Sequence, residues 1–317
     1  MNFRTEFHIP PSIRKISLSS SVFTIGSCFA EVVGNQLKNT KLQVESNPFG
    51  TLFNPLSIFK TLEIALEMRP LDERLFVQNQ GLWFHYDFHS SICGNTKEEL
   101  QEKSNHPFKA ADFLIITFGT AFAYRLYEPP TYVANCHKMP SKLFEKDLLS
   151  VKDICKAFAP LYQNLLKTNN NLQIILTVSP VRHTRDGIPQ NAVSKSILRA
   201  ACYYLETDFE NVCYFPSYEL MMDDLRDYRF YKPDLIHPNE VAETYIFEKF
   251  AETYFDDALK QFKDSWQGIQ KDLAHKPFNP ASATHQQFLQ ILIEKLERLA
   301  KVVDVSEELA TVRQKLR

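Results

Sequence analysis

The chain has 317 residues, 44% of them hydrophobic and 23% charged, with a net charge of −2. That balance belongs to a globular protein with room for a large core, and without a basic run or zinc-finger spacing nucleic acid is not expected as a partner. Eight glycines are too few for repeated phosphate-cradling loops, and no P-loop or dinucleotide fingerprint occurs. No apolar run approaches the length of a membrane span, and the polar stretch 1–14 lacks the apolar centre of a secretory signal. The cysteines (Cys28, Cys93, Cys136, Cys155, Cys202 and Cys213) show no CxxC spacing. Reduced thiols and a cytoplasmic location are therefore expected, with no membrane partner, no cofactor and no metal.

The first clear element is the run Val22 to Ile25, which stops at Gly26; Ser27 and Cys28 follow, and Val32, Val33 and Leu37 continue at helical spacing. A turn-rich stretch from Asn47 to Pro55 precedes a helix from about Ser57 to Met68. The aromatic, strand-like segment from Leu75 to Ile92 reads as an insertion. Phe113 to Phe118 is a continuous apolar run ending at Gly119, the pattern of a strand buried on both faces. A polar loop with Asn135-Cys136-His137-Lys138 leads to a helix capped by Ser150. Leu172 to Val178 is another buried strand, ending at Ser179-Pro180. Beyond His183 and Gly187, a helix from about Asn191 to Leu205 and a short strand from Val212 to Phe215 continue the alternation. Asp234-Leu235-Ile236-His237-Pro238-Asn239 opens a long helix with Ala242, Tyr245, Ile246 and Phe250 on one face.

Strands alternating with helices predict a parallel sheet covered on both faces, with ligands at the carboxyl ends of its strands. Residues 1–258 form this unit. From 259 to 317 the predicted appendage is helical, with a Pro277–Ser282 linker and an apolar stripe from Phe288 to Leu299. Its last helix starts at Ser306 and ends on Lys315 and Arg317. The stripe predicts packing on the main unit or on another copy, as in a homo-oligomer joined through these helices.

Ser27 and Cys28 sit where a strand turns straight into a helix, so unpaired amides and the positive dipole end favour a thiolate or an oxyanion. Serine is also a common helix cap, and cysteine a common apolar filler. A nucleophile needs a base, and the base an orienting acid; Asp234-x-x-His237 fits both. Asp272-x-x-His275 has the same spacing but no strand end beside it. Cys136-His137 is poor zinc spacing, so loop packing or pocket lining is expected of it. Of the remaining histidines, His89 and His183 are placed by their loops nearest the strand ends.

These motifs resemble the GSCFA domain proteins, themselves similar to the SGNH/GDSL hydrolases. Gly26-Ser27-Cys28-Phe29-Ala30 is the name-giving motif. Asn47-Pro48-Phe49-Gly50-Thr51, Asn54-Pro55, Thr117-Phe118-Gly119-Thr120, Asn135 to Lys138, Thr177 to Pro180 and Asp234-x-x-His237-Pro238 follow in order, over roughly residues 20–255. The resemblance implies a three-layer α/β/α sandwich with a flavodoxin-like parallel sheet. It also implies a nucleophile after strand one, a late Asp-x-x-His and an oxyanion hole of backbone N–H groups plus an asparagine. Two departures stand out. The relatives' Gly-Asp-Ser becomes Gly26-Ser27-Cys28, which puts Cys28 at the nucleophile position and leaves Ser27 as the competing candidate. Their Gly-x-Asn-Asp becomes Gly119-Thr120-Ala121-Phe122, so Asn54 or Asn135 must serve if any asparagine does. The implied catalytic set is Cys28 or Ser27 with His237 and Asp234. Gly50, Asn54, Gly119, Asn135 and His137 are left for oxyanion or substrate contacts. The implied activity is hydrolysis of an acyl ester on a small molecule or glycan. Transfer to a sugar hydroxyl and a catalytically silent binding protein are the alternatives.

Overall fold

The computed structural model describes residues 4–108 and 111–316, so Arg317 lies outside the described residues. The first apolar run becomes β1 (Ser21–Gly26) and passes through Ser27 into α1 (Cys28–Asn39). β2 (Gln43–Ser46) runs parallel beside β1. α2 (Pro55–Ala65) starts on the side chain of Asn54, with proline at a first-turn position where no amide is needed. The aromatic insertion folds as the hairpin β3 (Phe76–Asn79) and β4 (Leu82–His85), followed by α3 (Lys97–Lys103). β5 (Phe113–Phe118) returns to the main sheet.

Next come β6 (Phe122–Leu126), β7 (Thr131–Val133) and β8 (Phe144–Leu148), a small antiparallel sheet where the sequence reading has only a polar loop. α4 (Val151–Thr168) carries a full capping box on Ser150. The main sheet is completed by β9 (Gln173–Val178), α5 (Ile188–Asp208) and β10 (Val212–Tyr214). A single turn α6 (Ser217–Glu219) runs into a π-helical stretch, Leu220–Leu225. The remaining helices are α7 (Glu240–Tyr254), α8 (Asp257–Ala274), α9 (Ala283–Leu299) and α10 (Ser306–Lys315). β2, a polar edge strand without an apolar run, and α3 likewise have no counterpart in the sequence reading, and α8 follows α7 with only two residues between them.

The five main strands lie in the order β10-β9-β5-β1-β2, all parallel. Side chains alternate across this sheet. Phe23, Ile25, Leu114, Ile116, Ile174 and Leu176 face a layer made by α2, α4 and α5, packing with Phe59, Phe158 and Leu198. Val22, Phe113, Ile115 and Ile175 face the opposite layer, with Val33 of α1, Phe250 of α7 and Trp266 of α8. This is the three-layer α/β/α sandwich. Leu289, Leu292 and Leu296 of α9 belong to that second cluster and are almost wholly buried, so the predicted apolar stripe is covered by the chain itself. No helix among the described residues is long and apolar enough to cross a membrane.

Strand order reverses between β1 and β5, and in open parallel sheets the crevice outside the carboxyl ends at such a reversal is where ligands bind. Gly26 pairs with Thr117 at that point.

Candidate active site

β1 ends at Gly26 with φ of 137°, a left-handed conformation that favours glycine. Its amide donates to Oδ1 of Asn47 at 2.9 Å, and its carbonyl accepts the Leu52 amide at 2.8 Å. The next amide, of Ser27, donates to the Thr117 carbonyl at 3.0 Å. Ser27 is therefore fixed as the cap of α1: its Oγ accepts from the Phe29 amide at 3.3 Å, and the residue is fully buried. Ser27 has no open face from which to attack a substrate, which corrects its place among the candidate nucleophiles. Cys28, one residue on, is half-buried with a free thiol.

The electrostatics of Cys28 oppose one another. Burial, the largest effect, pushes its thiol up; the ammonium of Lys195 and the amides of Phe29 and Cys28 pull it down, and Glu31 pushes it up again. The outcome is a thiol above its ordinary value. An acidified thiolate, expected from the helix dipole alone, does not result, because desolvation outweighs the amides.

The predicted oxyanion donors divide. The Gly50 amide already donates to Asn47 O at 2.8 Å and the Gly119 amide to Phe53 O at 2.8 Å, so both are engaged and neither is a free donor. Asn54 caps α2 through Oδ1 to the Ser57 amide and donates Nδ2 to Ser57 Oγ, each at 2.9 Å. It nevertheless borders a cavity of about 220 Å³ together with Phe53, Thr120, His183 and Arg185. Asn135 and His137 are not part of that lining. Oδ1 of Asn135 accepts the His137 amide at 2.8 Å. The His137 ring, buried against Phe84, reaches the His85 carbonyl at 2.9 Å and Ser90 Oγ at 3.1 Å. Burial drives His137 down to about 4 and the neighbouring Cys136 up to about 11. This loop ties the β3–β4 hairpin to the small sheet, the loop packing expected of Cys136-His137, and it lies apart from the cavity beside Asn54. Among the described residues no three His, Cys, Asp or Glu side chains form a group able to hold a metal ion.

His237 Nδ1 lies 2.7 Å from Asp234 Oδ2, and Asp234 Oδ1 accepts the amides of Ile236 and His237 at 2.9 and 3.0 Å. These amides and the imidazole hold Asp234 down to about 2. A carboxylate on Nδ1 fixes the tautomer with its proton there, which leaves Nε2 as a base. The segment is carried on the exit of β9, where the Arg182 amide reaches Ile236 O at 3.5 Å.

Two residues at this rim stand out beyond the predicted set. His183, named only by its loop position, packs edge-on to Phe53; its buried Nε2 has no hydrogen-bond partner among the described residues. A β-carbon on Gly119 would lie 3.1 Å from that nitrogen. Burial, then Lys195 and His237, lowers His183 to about 4. Lys195 is 1% exposed and donates Nζ to the carbonyls of Gly119 at 2.8 Å and Ser179 at 2.7 Å. A signal for Lys195 was present in the sequence, since it shares the buried face of α5 with Asn191, Leu198, Cys202 and Leu205 at helical spacing.

A family model described as the GSCFA family matches residues 21–250, and one described as GSCFA domain protein, C-terminal domain, matches 266–317. The chain matches no curated protein. Solved structures with similarity to it include a family 3 carbohydrate esterase of Clostridium thermocellum. That match has 10% identity and a TM-score of 0.37, covering 77% of this chain and 99% of the other. A family 2 carbohydrate esterase with a carbohydrate binding domain, from Corynascus thermopiles, has 13% identity and a TM-score of 0.39, covering 81% and 68%. An acetyl xylan esterase of Butyrivibrio proteoclasticus has 13% identity and a TM-score of 0.34, covering 84% and 66%.

Proposed function

The chain belongs to the GSCFA family, and we propose that it is an acyl-ester hydrolase whose nucleophile is Cys28. The observation that carries the reading is the division of labour at the turn: Ser27 Oγ is buried as the helix cap, while the half-buried Cys28 thiol stands at the first helical position. The Cys28 amide, unlike those of residues 50 and 119, donates to no backbone carbonyl among the described residues; it faces its own sulfur and is the donor we assign to a tetrahedral oxyanion. Burial keeps Cys28 a thiol near neutrality, so attack needs a base. His237 Nε2 takes the thiol proton as sulfur bonds to the ester carbonyl carbon, and returns it to the departing alkoxide. Water then cleaves the thioester with the same imidazole as base, while Asp234 holds the ring in its tautomer. The resemblance described above favours a carbohydrate as the alcohol.

A silent binding protein on the same fold is the second reading, favoured by the engagement of the Gly50 and Gly119 amides. The test is hydrolysis of a generic acetyl ester, p-nitrophenyl acetate, by wild type, Cys28→Ala and Ser27→Ala, with melting temperatures alongside. Loss of turnover in Cys28→Ala, and a loss of about 1 kcal/mol of stability in an active Ser27→Ala, is the expected pair. Full activity in Cys28→Ala would remove the thiol from the mechanism.

A further inference from the structure

His285 stands apart among the polar residues of the C-terminal helices. It lies in the first turn of α9 and is only 9% exposed. Its backbone amide donates to the cap, Ser282 Oγ, at 3.3 Å. Its ring touches only other rings, stacking on Phe288 at 5.9 Å and facing His275 at 6.2 Å. Among the described residues the ring nitrogens have no hydrogen-bond or charged partner. An imidazole buried to this degree without a hydrogen bond is unfavourable, and such groups are ordinarily completed by a partner.

The ring forms a wall of a cavity of about 390 Å³ between the end of α8, the start of α9 and α10. That volume falls within the range of roughly 300–1,000 Å³ usual for small-molecule sites. Its floor is apolar, since Leu289, Leu292 and Val312 border it and are at most 3% exposed. Its rim is cationic: Lys276 and Lys315 border it, both exposed, and neither pairs with a carboxylate among the described residues. Asp272, the acid in the lining, is already engaged by Lys295 at 2.9 Å. The first turn of α9 adds the positive end of a 17-residue helix.

We propose that this cavity binds a single-chain amphipathic carboxylate of the fatty-acid class. The apolar chain lies on Leu289, Leu292 and Val312. The carboxylate accepts from a ring N–H of His285 and meets the ammonium groups of Lys276 and Lys315. A fully apolar ligand leaves the imidazole unpaired, and a small hydrophilic anion leaves the floor uncovered. No residue of the candidate active site borders the cavity, so the inference does not rest on the hydrolase reading.

The full-length protein is titrated calorimetrically with octanoate, beside octanol, which lacks the charge, and acetate, which lacks the chain. Saturable one-to-one binding of octanoate below about 1 mM is expected, with octanol and acetate each at least about tenfold weaker. Octanoate should also move the ring-carbon NMR resonances of His285. His285→Phe keeps a ring stacked on Phe288 but removes both nitrogens, and Lys276→Gln with Lys315→Gln removes the rim charges. Each should lower octanoate affinity roughly tenfold and leave octanol binding unchanged. The lysine variant alters only exposed side chains, so it carries the test should His285→Phe not fold. Absence of saturable octanoate binding, equal affinity for octanoate and octanol, or unchanged affinity in the lysine variant overturns the proposal. So does a dimer in sedimentation whose His285 resonances move on dilution and not with octanoate, which gives the cavity to a second copy of the chain.

Discussion

A β-carbon placed on Gly26 would lie 2.2 Å from the carbonyl oxygen of Thr117. Strand β1 passes so close to β5 at this point that only a bare backbone fits, and the amide of Ser27 is thereby delivered to the same carbonyl. Gly26→Ala must both break this approach and adopt φ of 137° with a side chain. A loss on the order of 3 kcal/mol or more is expected from strain and clash together. Chemical denaturation against wild type measures it; a variant within 1 kcal/mol, as roughly the scatter of ordinary substitutions, would show that β1 can shift away from Thr117.

The same junction marks how far the sequence could be read. Gly26-Ser27-Cys28 announces a strand, a sharp turn and a helix start through local chemistry, and the largely apolar runs at 113–118 and 173–178 announce strands buried on both faces. The edge strand β2 is short and polar, and its partner is set only by tertiary pairing. At the site, motif order brings Gly50, Asn54, Gly119 and His237 to attention, but not which of their polar atoms are engaged. The Gly119 amide is taken by Phe53 O, a contact between distant loops that no spacing encodes. The balance at Cys28 is likewise tertiary: the amides come with the helix start, whereas the burial that outweighs them comes from the packed rim.

The C-terminal helices are expected to be inseparable from the sandwich. Trp266 is 2% exposed and donates its indole Nε1 to Asn39 O at 2.8 Å, and Leu259, Leu292 and Leu296 share the apolar cluster with Val33 and Phe250. Stopping the chain after residue 258 opens that cluster to water at roughly 25 cal/mol per Å² of apolar surface. Size-exclusion chromatography of the truncated protein should find it aggregated or absent from the soluble fraction. A monomer with the wild-type melting temperature would mean that the helices only decorate the surface.

Acid should loosen the fold through its buried imidazoles. His137 and His183 each titrate near 4 when folded, chiefly because burial penalises the charged form, against about 6.5 when unfolded. With the folded pKa depressed, the unfolded chain binds protons first. The stability conferred by the neutral rings is complete above pH 6.5 and drains away as the pH falls from 6.5 towards 4. At pH 5 each ring accounts for a loss of roughly 2 kcal/mol. His137→Gln should therefore start less stable at pH 7.5, having lost hydrogen bonds to His85 O and Ser90 Oγ, but decline less between pH 7.5 and 5. Urea midpoints at the two pH values test this, and an acid decline as steep as that of wild type would place the sensitivity elsewhere.

The most discriminating substitution at the site is Asp234→Asn. Asp234 Oδ1 accepts the amides of Ile236 and His237, and an asparagine Oδ1 can accept both equally well, so the loop should keep its shape. The other arm differs. Oδ2 faces His237 Nδ1 at 2.7 Å, where asparagine presents an N–H donor instead of an acceptor. The ring then favours the tautomer with its proton on Nε2, and the base of the proposed mechanism is gone although no atom of the turn at Cys28 has moved. Both side chains are close to half exposed, so the melting temperature should barely change. Turnover of an acetyl ester should fall by about 10² to 10⁴, the usual worth of a positioned general base. His237→Ala should fall as far, and the double variant no further than either single one, because the two residues act as one unit. Since Asp234 itself titrates near 2, the wild-type pH profile should show no limb assignable to it above about pH 3. A turnover in Asp234→Asn equal to wild type, with His237→Ala inactive, would reduce Asp234 to a loop clamp; equal turnover in both would take the pair out of the mechanism.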